Sequence, residues 1–486
     1  MYFHSRTYPL LVTVILLGGV ILAFMQGDAR LVVAPGFACA VIMLWLVMML
    51  WDRDRIIPIF DAGVICGFAT MVYTVYPLMN YWLGGFQFGF LSDNRLQLYS
   101  PTPMDMGLFH LRHVLYLFSF VVSYLLIRSK SPLATGNVVV PSRPERQIIF
   151  LSFALLTIYF LLLQLVTGVN YNSSYEEEGY FNNLAAFSNA PLLLLQVSGK
   201  LWGILFISKL ALLFIVVNRC RQKRWLFVLL AWIAVEIIQA LIIRGARTSL
   251  VLFLMAVVLY YHRMIKPFTI KCVILSGLSV FTLFIFLGFY RMYFDLAAFQ
   301  LDLLEAGSSI FSAGNEFQSL LGNAYDVLQR KEEGVSLPWY LYLNDFITIL
   351  PPQQLLPFEK VPASEWYLRE IGLSETGLGL MWGVITQSII GLDWIELAIR
   401  GGILGFLLGK LHSWYVRNQS SFLANLLYVY LCLRVYYTFR DTTFSLLANL
   451  IWEVIPFYLL LKLGISLQLK SNKNSSSADF LATSNS

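Results

Sequence analysis

The chain has 486 residues, of which 58% are apolar and 13% charged; that charged share is about half the usual figure for soluble globular proteins. A soluble fold of this length has too little interior to hide so much apolar surface, so part of its solvent is lipid. The net charge of +6 sits in short clusters between apolar stretches rather than in a basic run interleaved with exposed aromatics, which excludes a nucleic-acid-binding surface.

Apolar segments of about 17–25 residues can cross a bilayer as helices. Such spans are predicted near residues 9–25, 31–50, 56–79, 108–127, 147–168, 201–217, 225–243, 248–261, 272–290, 393–411, 421–439 and 443–466. The fold class expected is an all-α polytopic membrane protein with about twelve transmembrane helices. His4 and Arg6 precede the first apolar stretch with no small-residue cleavage site after it, so an uncleaved first span is expected. The stretch 248–261 is short unless His262 and Arg263 extend it by snorkelling.

Charge orients the spans, because basic connections favour the cytoplasm. Arg53 and Arg55 follow the second span; Arg128, Lys130, Arg143 and Arg146 the fourth; Arg219, Arg221, Lys223 and Arg224 the sixth; Arg263, Lys266 and Lys271 the eighth. All of these clusters follow even-numbered spans, which predicts cytoplasmic termini and a multi-pass membrane protein. The intervening connections are short, acidic or mixed, as at Glu176–Glu178. Domain organisation follows: spans one to nine in 1–290, a large extracytoplasmic loop in 291–392, spans ten to twelve in 393–470, and a Ser/Asn-rich disordered cytoplasmic tail in 471–486.

The large loop has helical patterning at 314–330 and 364–371, punctuated by Pro338, Pro351, Pro352, Pro357 and Pro362. Trp339, Tyr340, Tyr342 and Phe346 suggest an element lying at the membrane interface. Residues 378–391 are apolar but too short to span beside 393–411, which suggests a re-entrant hairpin.

Charged groups cost about 2.5–3.5 kcal/mol each at the centre of a membrane helix, so their positions carry information. Arg244-Gly245-Ala246-Arg247 forms a tight break between spans seven and eight on the outer face. Two readings stand: headgroup anchors, or an anion site in which guanidinium forks match phosphate oxygens. Arginine is under-used on that side, which favours the anion site. Arg291 after span nine and Arg440-Asp441 between spans eleven and twelve sit at the same depth, so the four arginines together point to a pyrophosphate at the outer surface.

Within the spans, Asp393, Glu396 and Arg400 share one face of span ten, and Glu396 and Arg400 have the favourable i,i+4 order for an ion pair. Arg434, Thr438 and Asp441 share a face of span eleven, and Asn449 and Glu453 a face of span twelve; Glu236 and Gln239 make span seven polar. These stripes must face inward, with structural and functional readings both open for Glu236, Glu453 and Asp61; Lys209 reads as structural. Glu316 and Asp326 bracket the first loop helix, where a carboxylate can serve as general base, although most loop carboxylates are solvated. His110 and His113 default to packing or hydrogen bonding. The five cysteines, Cys39, Cys66, Cys220, Cys272 and Cys432, show neither disulfide nor zinc spacing, and no metal, nucleotide or other cofactor motif is evident.

Three places resemble the bacterial O-antigen and oligosaccharide repeat-unit polymerases, including the enterobacterial common antigen polymerase: the turn Arg244-Gly245-Ala246-Arg247; the long loop with Asn315-Glu316, Tyr342–Pro357 and Gly377–Gly383; and Arg440-Asp441-Thr442. The resemblance covers roughly residues 230–455, and Ala246 and Thr248 depart from the family's arginine turn. It implies an architecture like the GT-C-like glycosyltransferases. It also implies polymerisation of undecaprenyl-pyrophosphate-linked oligosaccharides at the outer face of the membrane, with the growing glycan transferred onto the incoming unit. Arg244, Arg247, Arg291 and Arg440 would then bind pyrophosphate, and Glu316 or Asp441 would be the base. Implied partners are a chain-length regulator and a flippase. An O-antigen ligase is a rival, but such ligases use a histidine in that loop and 291–392 contains none. A lipid-linked oligosaccharide flippase or secondary transporter would favour broken helices and mid-membrane charges.

Overall fold

The computed structural model describes residues 7–25, 27–54, 58–71, 88–90, 97–99, 102–130, 140–167, 198–220, 222–242, 247–269, 271–279, 282, 316–343, 346, 349–351, 356–370, 382–439, 443 and 445–466. The architecture is helical. In chain order the helices are α1 (Thr7–Phe24), α2 (Asp28–Asp54), α3 (Ala62–Met71), α4 (Pro103–Ile127), α5 (Arg143–Thr167), α6 (Ser198–Arg219), α7 (Lys223–Ile242) and α8 (Arg247–Met264). There follow α9 (271–279), α10 (Glu316–Glu332), α11 (Ala363–Glu370), α12 (Gly383–Ile390), α13 (Trp394–Asn418), α14 (Phe422–Arg434) and α15 (Ser445–Ser466). Five helices among the described residues are long and apolar enough to cross a membrane: Arg30–Asp54 within α2, α4, Arg143–Leu163 within α5, Leu201–Arg219 within α6, and α15. The chain is a multi-pass membrane protein.

A small departure from an all-helical reading is an antiparallel ribbon of β1 (Phe88–Phe90) and β2 (Gln97–Tyr99), with Gly89 opposite Leu98. It lies in the connection before α4 and contacts α10. Alternating spans left no period-two run long enough to mark it, since three-residue strands fall below what patterning resolves.

The chain forms two compact units that are interleaved in sequence. The first holds residues 1–135, 266–419 and 431–446, the second 136–265, 420–430 and 447–486.

In the first unit α4 and α13 run side by side in the same direction. The pattern Gly401-x3-Gly405-x3-Gly409 puts three glycines on one face of α13. A Cβ on Gly405 would overlap the Phe120 carbonyl oxygen and come 3.0 Å from the Tyr124 amide nitrogen; one on Gly401 would overlap the Tyr116 carbonyl, and one on Gly409 would lie 3.0 Å from Ile127 Cβ. Lipid offers no hydrophobic drive between helices, so close backbone approach through small residues is what joins them. The opposite face of α13, Ile395, Ile399, Ile403 and Phe406, is exposed, as lipid contact requires. Helix α2 also runs parallel to α4, since Gly107 abuts Leu31 at one end and Arg128 meets Asp54 at the other. Helix α3 is antiparallel to α4, with Gly63 against Tyr124 and Gly67 near Leu117.

These directions match the alternation expected from charge: α2, α4 and α13 are the second, fourth and tenth predicted spans. The second unit agrees. Gly464 at the end of α15 packs on Ile148 at the start of α5, an odd–even antiparallel pair. Lys209–Phe253 and Phe214–Tyr260 contacts make α8 parallel to α6, both even.

Arg128, read from sequence as one of the orienting cytoplasmic cations, is instead buried at the shared end of α2, α3 and α4. Its Nε donates to Asp61 (2.8 Å), its Nη atoms to Asp54, and Tyr124 donates to Asp61 at 2.6 Å. His412 Nδ1 lies 3.6 Å from the same carboxylate. Two carboxylates thus satisfy one arginine fork, which resolves Asp61 as a structural partner. His262 and Arg263 do extend α8 to Met264, but both are buried, so burial rather than snorkelling carries them.

Candidate functional site

A cluster of buried polar side chains lies where α12 turns into α13 in the first unit. Helix α12 is buried at all eight positions. It is too short to span, and its middle carries the polar side chains of Thr386, Gln387 and Ser388, all buried. The turn Gly391-Leu392-Asp393 follows. Asp393 is the N-cap of α13 but has φ 52° and ψ −115°, the one positive φ at a described non-glycine residue. An N-cap aspartate ordinarily accepts from the amides of its own helix; this one makes no such bond. Its carboxylate is taken by Arg112 of α4, with Nε–Oδ1 and Nη2–Oδ2 both 2.8 Å. The bidentate fork holds a backbone conformation that costs about 1–3 kcal/mol by itself. Arg112 also donates to the Leu108 carbonyl (3.2 Å) and lies 4.7 Å over the Trp394 ring.

One helical turn on, Glu396 Oε2 accepts from the Leu392 amide (2.9 Å), which ties the turn to the first turn of α13. Glu396 Oε1 accepts from Arg400 Nε (2.7 Å) and Nη2 (2.6 Å), and Arg400 Nη1 donates to Thr443 Oγ1 at 3.1 Å. The expected Glu396–Arg400 pair is therefore present, and it reaches the segment that follows Arg440-Asp441-Thr442. Lys331, at the end of α10, donates to the carbonyls of Ile389 (2.5 Å) and Gly391 (2.9 Å), a cation on the C-terminal end of α12. The turn thus gathers three cations, Arg112, Arg400 and the half-buried Lys331, around the two carboxylates of Asp393 and Glu396.

The loop helix α10 is fixed over this turn by two further links. Tyr325 donates to Asp105 (3.3 Å), which also closes a capping box with Thr102 at the start of α4. Burial pushes the Tyr325 phenol up, and the Asp105 charge adds to it. Asp326, which loop statistics would leave in water, is 2% exposed and accepts from Tyr367 of α11 and from Arg330 at 3.1 Å. A bonded, buried carboxylate of this kind frames the loop rather than serving as a free base.

No protein-family model, curated protein or solved structure matches the chain.

Of the residues singled out from sequence, Arg244, Arg291, Arg440 and Asp441 lie outside the described residues. Arg247 is the first residue of α8, in the second unit, and Glu316 the first of α10; their side chains also lie outside what is described. Along α10 the rise of about 1.5 Å per residue separates Glu316 from Lys331 by roughly 22 Å, so Glu316 stands well away from the Asp393 turn. The sequence reading missed Arg112 and Lys331. A signal existed for Arg112, since an arginine inside an apolar span demands an anionic partner; Lys331 carried none.

In the second unit Lys209 pairs with Glu236 at 2.6 Å, and Trp232 Nε1 donates to Glu236 at 3.0 Å, which favours the structural reading of both. Glu453 is buried in the π-helical segment Leu450–Val454, its carboxylate against Gly203, where an added Cβ would push the carboxylate aside. His110 and His113 are buried among aromatic rings, as expected. His113 Nδ1 lies 3.3 Å from the Phe109 carbonyl, and both His110 nitrogens lack a hydrogen-bond partner. No group of three metal-ligating side chains occurs among the described residues.

Proposed function

We propose that this chain polymerises undecaprenyl-pyrophosphate-linked oligosaccharide repeat units, of O-antigen or similar surface polysaccharide, at the outer face of the bacterial inner membrane. The observation that carries the reading is the two ion pairs at the start of α13, Arg112–Asp393 and Glu396–Arg400, the second bonded on to Thr443. The Arg400–Thr443 bond joins the first turns of α13 to the segment after Arg440-Asp441-Thr442, and the cations gathered at that turn support a reading in which this end of the helix serves an anionic leaving group. In the reaction a hydroxyl of the incoming unit attacks C1 of the growing glycan. The C1–oxygen bond to pyrophosphate breaks, the electron pair leaves with the lipid pyrophosphate, and the hydroxyl proton passes to a carboxylate. Arg244, Arg247, Arg291 and Arg440 stabilise the charge that grows on the leaving group. Asp441 is favoured over Glu316 as the base, since only Asp441 adjoins the segment that Arg400 holds.

Purified protein in proteoliposomes, given one defined lipid-linked repeat unit, should yield a ladder of longer glycans and free lipid pyrophosphate. Arg244→Ala and Arg247→Ala should abolish the ladder while leaving the protein in the membrane; normal elongation by either would refute the assignment. A second reading, a lipid-linked oligosaccharide flippase or transporter, draws on the charged Glu396 and Arg400 inside a span and on Glu453 in a π-helical segment. Transbilayer movement of the unit with no new glycosidic bond would establish that reading instead. Product formed only with a lipid-core acceptor would mark a ligase.

A further inference from the structure

We infer that the 3-10 turn Trp339–Leu343 seats on the surface of the bilayer, at the headgroup–acyl boundary, and that this contact sets the height of the Asp393 turn. The inference rests on the multi-pass membrane architecture and not on the proposed chemistry. Leu341 is fully buried and roots the turn in the first unit, while Trp339, Tyr340 and Leu343 project outward, Trp339 being 76% exposed. An exposed tryptophan beside an exposed tyrosine and leucine is unfavourable in water and suits the zone where apolar ring bodies meet wet headgroups.

The occupant follows from continuity. A side chain built on Gly391 would meet the Tyr342 ring at 3.2 Å, so the turn abuts Gly391. Immediately after Gly391 begins the exposed apolar stripe of α13: Leu392, Ile395 (65% exposed), Ile399, Ile403 and Phe406. This stripe lies opposite the glycines that pack on α4, and in a membrane-spanning helix such a face meets acyl chains. The aromatic turn therefore stands at the end of a lipid-facing surface, where the acyl region gives way to headgroups. The charged side chains of α11, Glu365 and Arg369, paired with each other and with Glu359, are exposed to water. Lys331 holds the Ile389 and Gly391 carbonyls from the other side. The Asp393 turn is thus gripped between the loop helix and a bilayer contact, which fixes its depth for any membrane-borne ligand.

The test uses the full chain in phospholipid nanodiscs, with Cys220→Ser and Cys272→Ser to remove the more accessible native thiols. A nitroxide is attached at one introduced cysteine: Trp339→Cys, Tyr340→Cys or Leu343→Cys in the turn, Ile395→Cys or Ile399→Cys as lipid references, Glu333→Cys as the water reference. Collision with oxygen, which concentrates in acyl chains, is compared with collision with a water-soluble nickel chelate. The expected oxygen-to-nickel ratio at 339, 340 and 343 is several-fold above that at 333 and below that at 395 and 399. Tyr340→Cys retains Trp339, so a fold defect from losing the tryptophan is separated from the reading. Turn sites as open to nickel as 333 would overturn the inference. So would shielding from both reagents with dipolar broadening that vanishes on dilution with unlabelled protein, which marks a second copy. Reference sites 395 and 399 closed to oxygen would remove its foundation and overturn it as well.

Discussion

Adding one methyl group to α13 tests the packing of the first unit at its narrowest point. At Gly402 nothing lies within 4 Å of a built Cβ, whereas at Gly405 the Cβ would overlap the Phe120 carbonyl and lie 3.0 Å from the Tyr124 amide. Alanine in a helix interior gains up to about 1 kcal/mol over glycine, so Gly402→Ala should be neutral or mildly stabilising. At Gly405 the obstructing atoms are backbone and cannot rotate away. The two helices must move apart by a few tenths of an ångström to an ångström, and overpacking of this kind costs about 1–3 kcal/mol. The propensity gain is common to both, so the two variants should differ by about 1–3 kcal/mol from a substitution of identical chemistry three residues apart. Detergent-solubilised protein is heated in steps, and the fraction remaining monodisperse is followed by size exclusion. Gly405→Ala should lose its folded peak several degrees below wild type and Gly402→Ala at or above it. Equal midpoints for the two would refute the parallel α4–α13 contact.

Asp393→Ala should destabilise by about 3–5 kcal/mol, because it strands the Arg112 guanidinium in a buried setting; the double variant Arg112→Leu/Asp393→Ala should recover part of that loss in the same melting assay. Arg400→Lys keeps the charge but not the fork that binds Glu396 and Thr443 together, so polymer yield in proteoliposomes should fall at least tenfold with normal membrane levels. Arg128→Leu leaves Asp54 and Asp61 facing each other without a cation, and should sharply reduce folded protein, whereas Arg417→Leu on the exposed end of α13 should not. Lys331→Met removes two bonds to α12 carbonyls and should raise protease cleavage in residues 333–338, read by mass spectrometry of limited digests.

Hydropathy alone located the helices. All twelve predicted spans overlap helices, α1–α9 and α13–α15, with 72–79 and most of 280–290 outside the described residues. The apolar length that crosses a bilayer is a local property of the chain, and basic clusters in the connections record which end of each helix stays put, so alternation was legible as well. The i,i+4 pair Glu396–Arg400 was legible for the same reason: both members sit on one helical face. The loop helices near 314–330 and 364–371 followed from their amphipathic spacing.

What the tertiary structure alone decided is pairing. Arg112 and Asp393 are 281 residues apart, and Arg128 and Asp61 are 67 apart. No periodicity links such positions, because which helix lies beside which is settled by close packing over whole surfaces. Arg128 shows the consequence: as a cation at the end of a span it has the composition of a cytoplasmic anchor, yet two carboxylates from neighbouring helices draw it inward. The glycines at 401, 405 and 409 were visible in the chain, but only the backbone of α4 gives them a function. The membrane, the helices and their alternation thus belong to the sequence; the Asp393 turn and its ion pairs exist only once distant helices have met.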